Sequence, residues 1–345
     1  MSTLLSHTLI RKFFLDILYR KNVREDVAQS LTHALLEASL HGIDSHGIRL
    51  FPHYLRGLEE GRLNPHPRYR FHKTSASTGL LDADHTLGHA AGFEAVKHIL
   101  PIARESGAGH VCVFHSSHFG AAAPYARAIA EQDMIGFSFT TADALIKTPG
   151  SYKPFFGNNP ICVAMPCEGE PPICLDMATS RVTFNKIKQF EEKNEQVPEG
   201  WGYDAQGNAC HDPKKIVTLA PIGDYKGFGL SFMIEILCSV LSGMPFGPHI
   251  PKMFEAPMSE KRYLSQYYIA IRIDRFLPIP VFKERIARLA QEVRSLPRLQ
   301  ENIPICMPGD PEKKIYQQRI EQGIPLSAPL LKNFKTLGEW NQVEF

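Results

Sequence analysis

The chain has 345 residues, 38 Lys+Arg against 36 Asp+Glu and 43% hydrophobic residues, a length and balance that suit a globular protein of two domains. A net charge of +2, with no basic block interleaved with aromatics, leaves no electrostatic footprint for a polyanion and excludes nucleic acid as an expected partner. Seven cysteines without a C-x-x-C pair form neither a disulfide framework nor a structural zinc set, and they point to reduced thiols in a cytoplasm.

The start, MSTLLSHTLIRKFF, brings Arg11 and Lys12 soon after Leu4 and Leu5, so it lacks the long apolar core of a secretion signal. Leu9, Ile10, Phe13, Phe14, Ile17 and Leu18 recur at helical spacing, and a second helix over Val27 to Leu40 is expected to pair with this one. Phe51 to Gly61 predicts a short third helix, and the Pro-rich run Asn64 to Arg70 a connection near a domain seam. Ala90 to Ser106 and Ala121 to Gln132 read as helices; His110 to His115 and Ile135 to Thr141 read as strands. Val111, Cys112, Val113 and Phe114 are apolar on both faces, the pattern of a strand covered on two sides. Further strands are expected at Ile161 to Met165, Ile173 to Asp176 and Tyr263 to Asp274. The most apolar window, Gly227 to Phe246, is interrupted by Glu235 and falls at or below the roughly 20 residues that span a bilayer, so it reads as a buried core helix. Phe282, Ile286, Leu289, Ala290, Val293 and Leu296 make an amphipathic stripe, and Glu312 to Gln322 a polar helix ended by Gly323. Both are expected to pack back on the N-terminal helices. The fold class is α/β, a mixed sheet flanked by helices in residues 76–278, with a helical domain built from residues 1–75 and 279–345.

No G-x-G-x-x-G follows a strand and no G-x-x-x-x-G-K-[ST] occurs, so a dinucleotide has to bind without either standard phosphate loop. H-E-x-x-H is missing and the 15 histidines are not spaced as ligands, so no metal is expected. Two turns can nonetheless aim a histidine. His41-Gly42-Ile43-Asp44-Ser45-His46-Gly47 presents Ser45 and His46 at a helix end; the alternative is a capping turn in which Asp44 or Ser45 bonds backbone amides. His115-Ser116-Ser117-His118-Phe119-Gly120 follows the doubly covered strand, at the carboxyl end where ligands collect. His118 there suits a general base that takes the hydroxyl proton of a 2-hydroxy acid, against the alternative of an N-cap by Ser117 with a structural His118. Lys226, in Asp224-Tyr225-Lys226-Gly227, sits where a helix N-terminus already favours anions, although ordinary Gly-rich helix entry explains the string nearly as well. Asp176, Met177 and Ala178 end a strand in small residues that admit a cofactor or cap a helix, and Pro308 and Gly309 form a turn before a helix.

Taken in order, HGIDSHG (41 to 47), G-H-x-x-G (88 to 92), SSHFG (116 to 120), LDMATS (175 to 180), PEGW (198 to 201), YKGFGL (225 to 230) and PGD (308 to 310) resemble the malate/L-lactate dehydrogenase family. That family also contains ureidoglycolate, sulfolactate and diketogulonate oxidoreductases, and the resemblance covers nearly the whole chain. It implies a homodimeric oxidoreductase using NAD, or NADP, on a largely antiparallel sheet unlike the Rossmann fold, with the active site near the subunit boundary. By position in the motifs, His46 and His118 match the proton-transfer histidines, and Ser45 and Tyr54 lie nearby for substrate. Asp176, Met177 and Ala178, then Lys226, then Pro308 and Gly309, match stretches that contact the dinucleotide. Leu50 stands where members often carry Arg, with Arg49 one place earlier as the candidate for the substrate carboxylate; Ala142, Thr148, Ser151 and Asn158 also depart from the usual residues. The expected reaction is hydride transfer between nicotinamide and C2 of a small 2-hydroxy or 2-oxo acid. Alternatives are reduction of a cyclic imino acid and a catalytically altered, cofactor-binding homologue.

Overall fold

The computed structural model describes residues 3–345. In chain order it runs β1 (Thr3–Leu5), α1 (His7–Arg20), α2 (Glu25–Leu40) and, after 3-10 turns over Asp44–His46 and Ile48–Leu50, α3 (Phe51–Glu59). Then come β2 (Arg70–Lys73), β3 (Thr78–Asp82), α4 (Gly88–Ser106), β4 (Ala108–Ser116), α5 (Ala123–Ala130) and β5 (Met134–Thr140). The next stretch holds β6 (Ile146–Lys147), β7 (Pro154–Phe156), β8 (Ile161–Met165), β9 (Ile173–Met177), α6 (Phe184–Glu192), β10 (Gly202–Tyr203), β11 (Thr218–Leu219) and α7 (Tyr225–Glu235). The chain closes with β12 (Leu264–Arg272), α8 (Ile279–Arg294), α9 (Asp310–Gln322), β13 (Ile324–Leu326) and α10 (Ala328–Asn341).

Seven strands form the central sheet in the order β2-β3-β4-β12-β5-β8-β9, and only β3 and β4 run parallel. The sheet is therefore mixed and mostly antiparallel, as the resemblance implied. β12 shows how it is covered. Its Tyr268 and Ala270 join Leu81, Val111, Val113 and Ile129 in a core under α4 and α5, while Tyr267 and Ile269 pack toward Phe139, Ile234 and Cys238 under α7. Alternation along one strand thus feeds two layers.

A second core belongs to the two chain ends. Ile10, Phe14 and Leu18 of α1 bury against Leu31 and Leu35 of α2, Phe51 of α3 and Phe334 of α10. Phe14 lies flat on Phe51 with ring centroids 3.7 Å apart, and Phe334 meets Phe14 edge-on at 86°. β1 pairs antiparallel with β13, which staples the two ends together.

The observed architecture departs from expectation in three places. Gly227 to Phe246 is not a buried core helix: α7 gives way to a π turn over Ile236–Val240, and Leu230, Phe232, Met233, Val240 and Leu241 face outward. Its inner face is closed by polar means, since buried Glu235 accepts from Asn159 at 2.6 Å and from the Gly247 amide at 2.7 Å. The stripe on α8 does not reach the N-terminal helices. Ala290 buries instead against Cys167 and Ile173 at the β8–β9 end of the sheet, nearer surfaces that offer the same apolar match. α9 does pack toward the N-terminal core, through Tyr316. Finally, the connection Asn64 to Arg70 runs at its end into an edge strand the sequence did not show, β2, whose side chains are mostly exposed and so leave no periodic signal.

Candidate active site

The turn after α2 is locked before it presents anything. Gly47 passes so close to Ser39 that a Cβ would lie 2.1 Å from its Oγ, and that hydroxyl accepts the Ile48 amide at 3.0 Å. Asp44 is held by Arg319 of α9 at 2.6 and 2.9 Å, so it does not cap backbone amides. Ser45 Oγ meets His46 Nδ1 at 2.8 Å, leaving the far ring nitrogen of His46 free, and Asn185 of α6 donates to the Ser45 carbonyl at 3.1 Å.

The second turn leaves β4. Ser117 does not cap the helix that follows it. Its hydroxyl accepts the Gly88 amide at 2.8 Å and donates to the Thr86 carbonyl, which fixes the start of α4 beneath the turn. His118 is then carried against α3, where its Nδ1 and the buried Tyr54 hydroxyl are hydrogen-bonded at 2.6 Å. The His46 and His118 rings lie 5.8 Å apart, nearly parallel. The structure therefore brings Ser45, His46, Tyr54 and His118 together from three separate segments.

Burial sets the protonation of this group. Desolvation, with the neighbouring His46, His89 and Arg262, holds His118 well below the ordinary histidine value. Desolvation and Arg49 take His46 down to about 4, and burial pushes the Tyr54 phenol far up. Neutral rings beside a protonated phenol are the result at neutral pH.

Two further residues join the group. His89, at the start of α4, is fully buried with neither ring nitrogen partnered; its ring meets Tyr54 edge-on at 4.7 Å, and desolvation takes it to about 3. Arg262 is 3% exposed, pairs with Asp143 at 2.6 Å, and keeps its Nε unpartnered. His89 lies inside the G-H-x-x-G string and so was within reach of the sequence. Arg262 stands in an ordinary polar run before a strand, and nothing local marks it as buried. Arg49, by contrast, leans toward Glu192 at 3.9 Å and lines a separate cavity of about 510 Å³ with His53, Lys188 and Trp340.

A larger cavity, about 650 Å³, opens beyond α5 and is lined by Cys174, Asp176, Pro308, Gly309, Arg127 and Tyr316 among others. Its volume is in the range of small-molecule and cofactor sites. Asp176 accepts the Ala122 and Ala123 amides at 3.1 and 2.8 Å, at the N-terminus of α5, yet desolvation still raises it to about 6. From Asp176 the chain passes through half-buried Met177 and Ala178 to Thr179, whose carbonyl accepts the Ile222 amide at 2.9 Å. A Cβ on Gly227 would lie 2.7 Å from that carbonyl, so the end of β9 abuts the start of α7, where Lys226 is exposed. Asp176, Pro308 and Gly309 thus share one cavity, and Met177, Ala178 and Lys226 extend from its edge. Among the described residues, no three His, Cys, Asp or Glu side chains converge as metal ligands, and no helix is long and apolar enough to cross a membrane.

A mostly antiparallel sheet, a buried histidine–tyrosine pair and a cavity whose lining includes Ile43 and Ala121, beside the two histidine turns, fit an oxidoreductase without a Rossmann fold. The sequence profile of the malate/L-lactate dehydrogenase family matches residues 5–335, and the chain belongs to that family. It is an oxidoreductase of that family. It is 31% identical to the malate dehydrogenase of Pyrococcus abyssi over 341 residues, 96% of this chain and 91% of that protein. Over 322 residues it is 25% identical to the ureidoglycolate dehydrogenase (NAD(+)) of Escherichia coli, covering 93% and 92% of the two chains. Among solved structures, malate dehydrogenase from Entamoeba histolytica superposes with a TM-score of 0.95 at 26% identity, over 100% of this chain and 99% of that one.

Proposed function

We propose that the protein transfers hydride reversibly between the nicotinamide of NAD, or of NADP, and C2 of a small 2-hydroxy or 2-oxo acid. The observation that carries this reading is the Tyr54–His118 pair, enclosed within electrostatic range of the buried Arg262. When bound, the nicotinamide supplies or takes the hydride. His118 handles the proton. With Nδ1–H donating to the Tyr54 oxygen, Nε2 is an acceptor for the hydroxyl proton of the substrate, and burial leaves the ring unprotonated and open to take it. His46, oriented by Ser45, donates to the same substrate oxygen from its free nitrogen. Arg262 takes the substrate carboxylate through its unpartnered Nε, the duty for which Arg49 is badly aimed. Asp176, Pro308 and Gly309 hold the dinucleotide along the 650 Å³ cavity, and Met177, Ala178 and the exposed Lys226, which follow from the end of β9 and the start of α7, would extend that contact to its phosphates.

The outward apolar face of α7 and its π turn supports a homodimer, since Met233 is 54% and Leu241 56% exposed in the single chain. The free state of all seven thiols supports a reducing, cytoplasmic setting. The deciding experiment replaces His118 by Asn and assays 2-oxo acids beside cyclic imines with NADH and NADPH. kcat on the oxo acid falls by about 10²- to 10⁴-fold while cofactor binding is kept. An unchanged rate removes His118 from the reaction, and turnover of imines alone moves the substrate class.

A further inference from the structure

The segments that deliver His89, His118 and Arg262 leave the sheet side by side, from the ends of β3 and β4 and into the start of β12. Each passes through a non-glycine residue with left-handed backbone: His85 at φ 56°, His115 at φ 48° and Tyr263 at φ 52°. That conformation is unfavourable for a side-chain-bearing residue and persists where the surroundings enforce it. Here the three residues enforce one another. The His85 and His115 rings lie 4.7 Å apart, and Tyr263 meets His85 edge-on at 5.0 Å and His115 at 6.2 Å. The His85 amide donates to the His115 carbonyl at 2.7 Å, and Asp82 meets His115 Nδ1 at 3.0 Å. Arg262 is the immediate neighbour of Tyr263, His118 lies three residues beyond His115, and His89 four beyond His85. His115 and Tyr263 are partly exposed.

We propose that His85, His115 and Tyr263 are positioning residues: their mutual tilted and edge-on ring contacts fix the placement of His118, His89 and Arg262 for the reaction assigned above, and the inference rests on that assignment. A ring lost from this cluster frees three turns to move relative to one another, and a misplacement of about 1 Å at the reacting atoms costs on the order of a hundredfold in rate.

The test uses the full chain carrying Tyr263→Ala, Tyr263→Phe or His115→Asn. It measures kcat and KM for the oxo acid at saturating NADH, the Kd for NADH, the melting temperature, and the His118 ring NMR signal, identified by its loss in His118→Asn. Tyr263→Ala lowers kcat/KM by about tenfold or more, mainly through kcat, and shifts the His118 signal with the Kd for NADH unchanged. Tyr263→Phe, which keeps the ring, stays within about twofold of the parent. His115→Asn, which tolerates the left-handed backbone but lacks the imidazole packed against His85 and Tyr263, falls between them. A lowered melting temperature with kcat/KM and the His118 signal both unchanged overturns the proposal and leaves the cluster merely structural. Should Tyr263→Ala fail to fold, His115→Asn decides by the same readouts. Should the parent turn over no acid, the reaction assignment fails while the His118 signal still decides whether the rings position it.

Discussion

A buried imidazole that must stay neutral makes its own pH dependence. His89 at about 3 and His46 at about 4 bind no proton in the folded chain across a window in which an unfolded histidine, near 6.5, does. Between pH 6.5 and 4 the unfolded chain therefore binds more protons, so stability is whole above that window and falls as the pH drops through it. Urea unfolding followed from pH 7 to pH 4 shows a declining midpoint, and His89→Gln flattens the decline. Asp176, raised to about 6, works in the opposite sense and costs stability as the pH rises through its own range. Sequence alone could locate His46 and His118, because glycine-flanked turns mark where a ring can be aimed. It could not show that Tyr54 bonds His118 or that Arg262 is buried, because both depend on segments far apart in the chain meeting at one point.

Elements reach their places here through glycines that act as contact points. Gly88 opens α4 with its Cα against the next segment: a Cβ would lie 2.2 Å from the Ser117 carbonyl oxygen and 2.6 Å from that of His118. Backbone atoms cannot swing aside as a long side chain can. Gly88→Ala therefore pushes the His118 turn off α4, lowering kcat/KM together with the melting temperature, with NADH binding retained; enzyme kinetics beside calorimetry separate the effects. Helices α1, α2, α4, α8 and α9 were legible because an apolar stripe, or for α9 a polar run ended by Gly323, persists over three or more turns. The strands of two or three residues in the smaller sheets were not, since a pair such as β10 or β11 is too short to express a period.

On the scale of the molecule, hydropathy proved a poor guide to burial in one segment. Gly227 to Phe246 is apolar enough to suggest an interior helix, and Gly227, Ser231, Ile234 and Cys238 do turn inward, but Met233, Val240 and Leu241 face away. The proposed homodimer would cover that face with a second copy and so account for its apolar residues. Met233→Glu with Leu241→Asp leaves the fold intact and halves the mass seen by light scattering, because burying two carboxylates in an apolar contact costs far more than the contact gains. The central sheet carries one more consequence. β12 lies between β4 and β5, yet more than a hundred residues separate its sequence from theirs. During synthesis the two older strands wait, each with a hydrogen-bonding edge open, until Leu264–Arg272 has emerged to fill the gap. A nascent chain stopped before that point holds two unsatisfied strand edges, the template on which chains join to one another instead of to themselves.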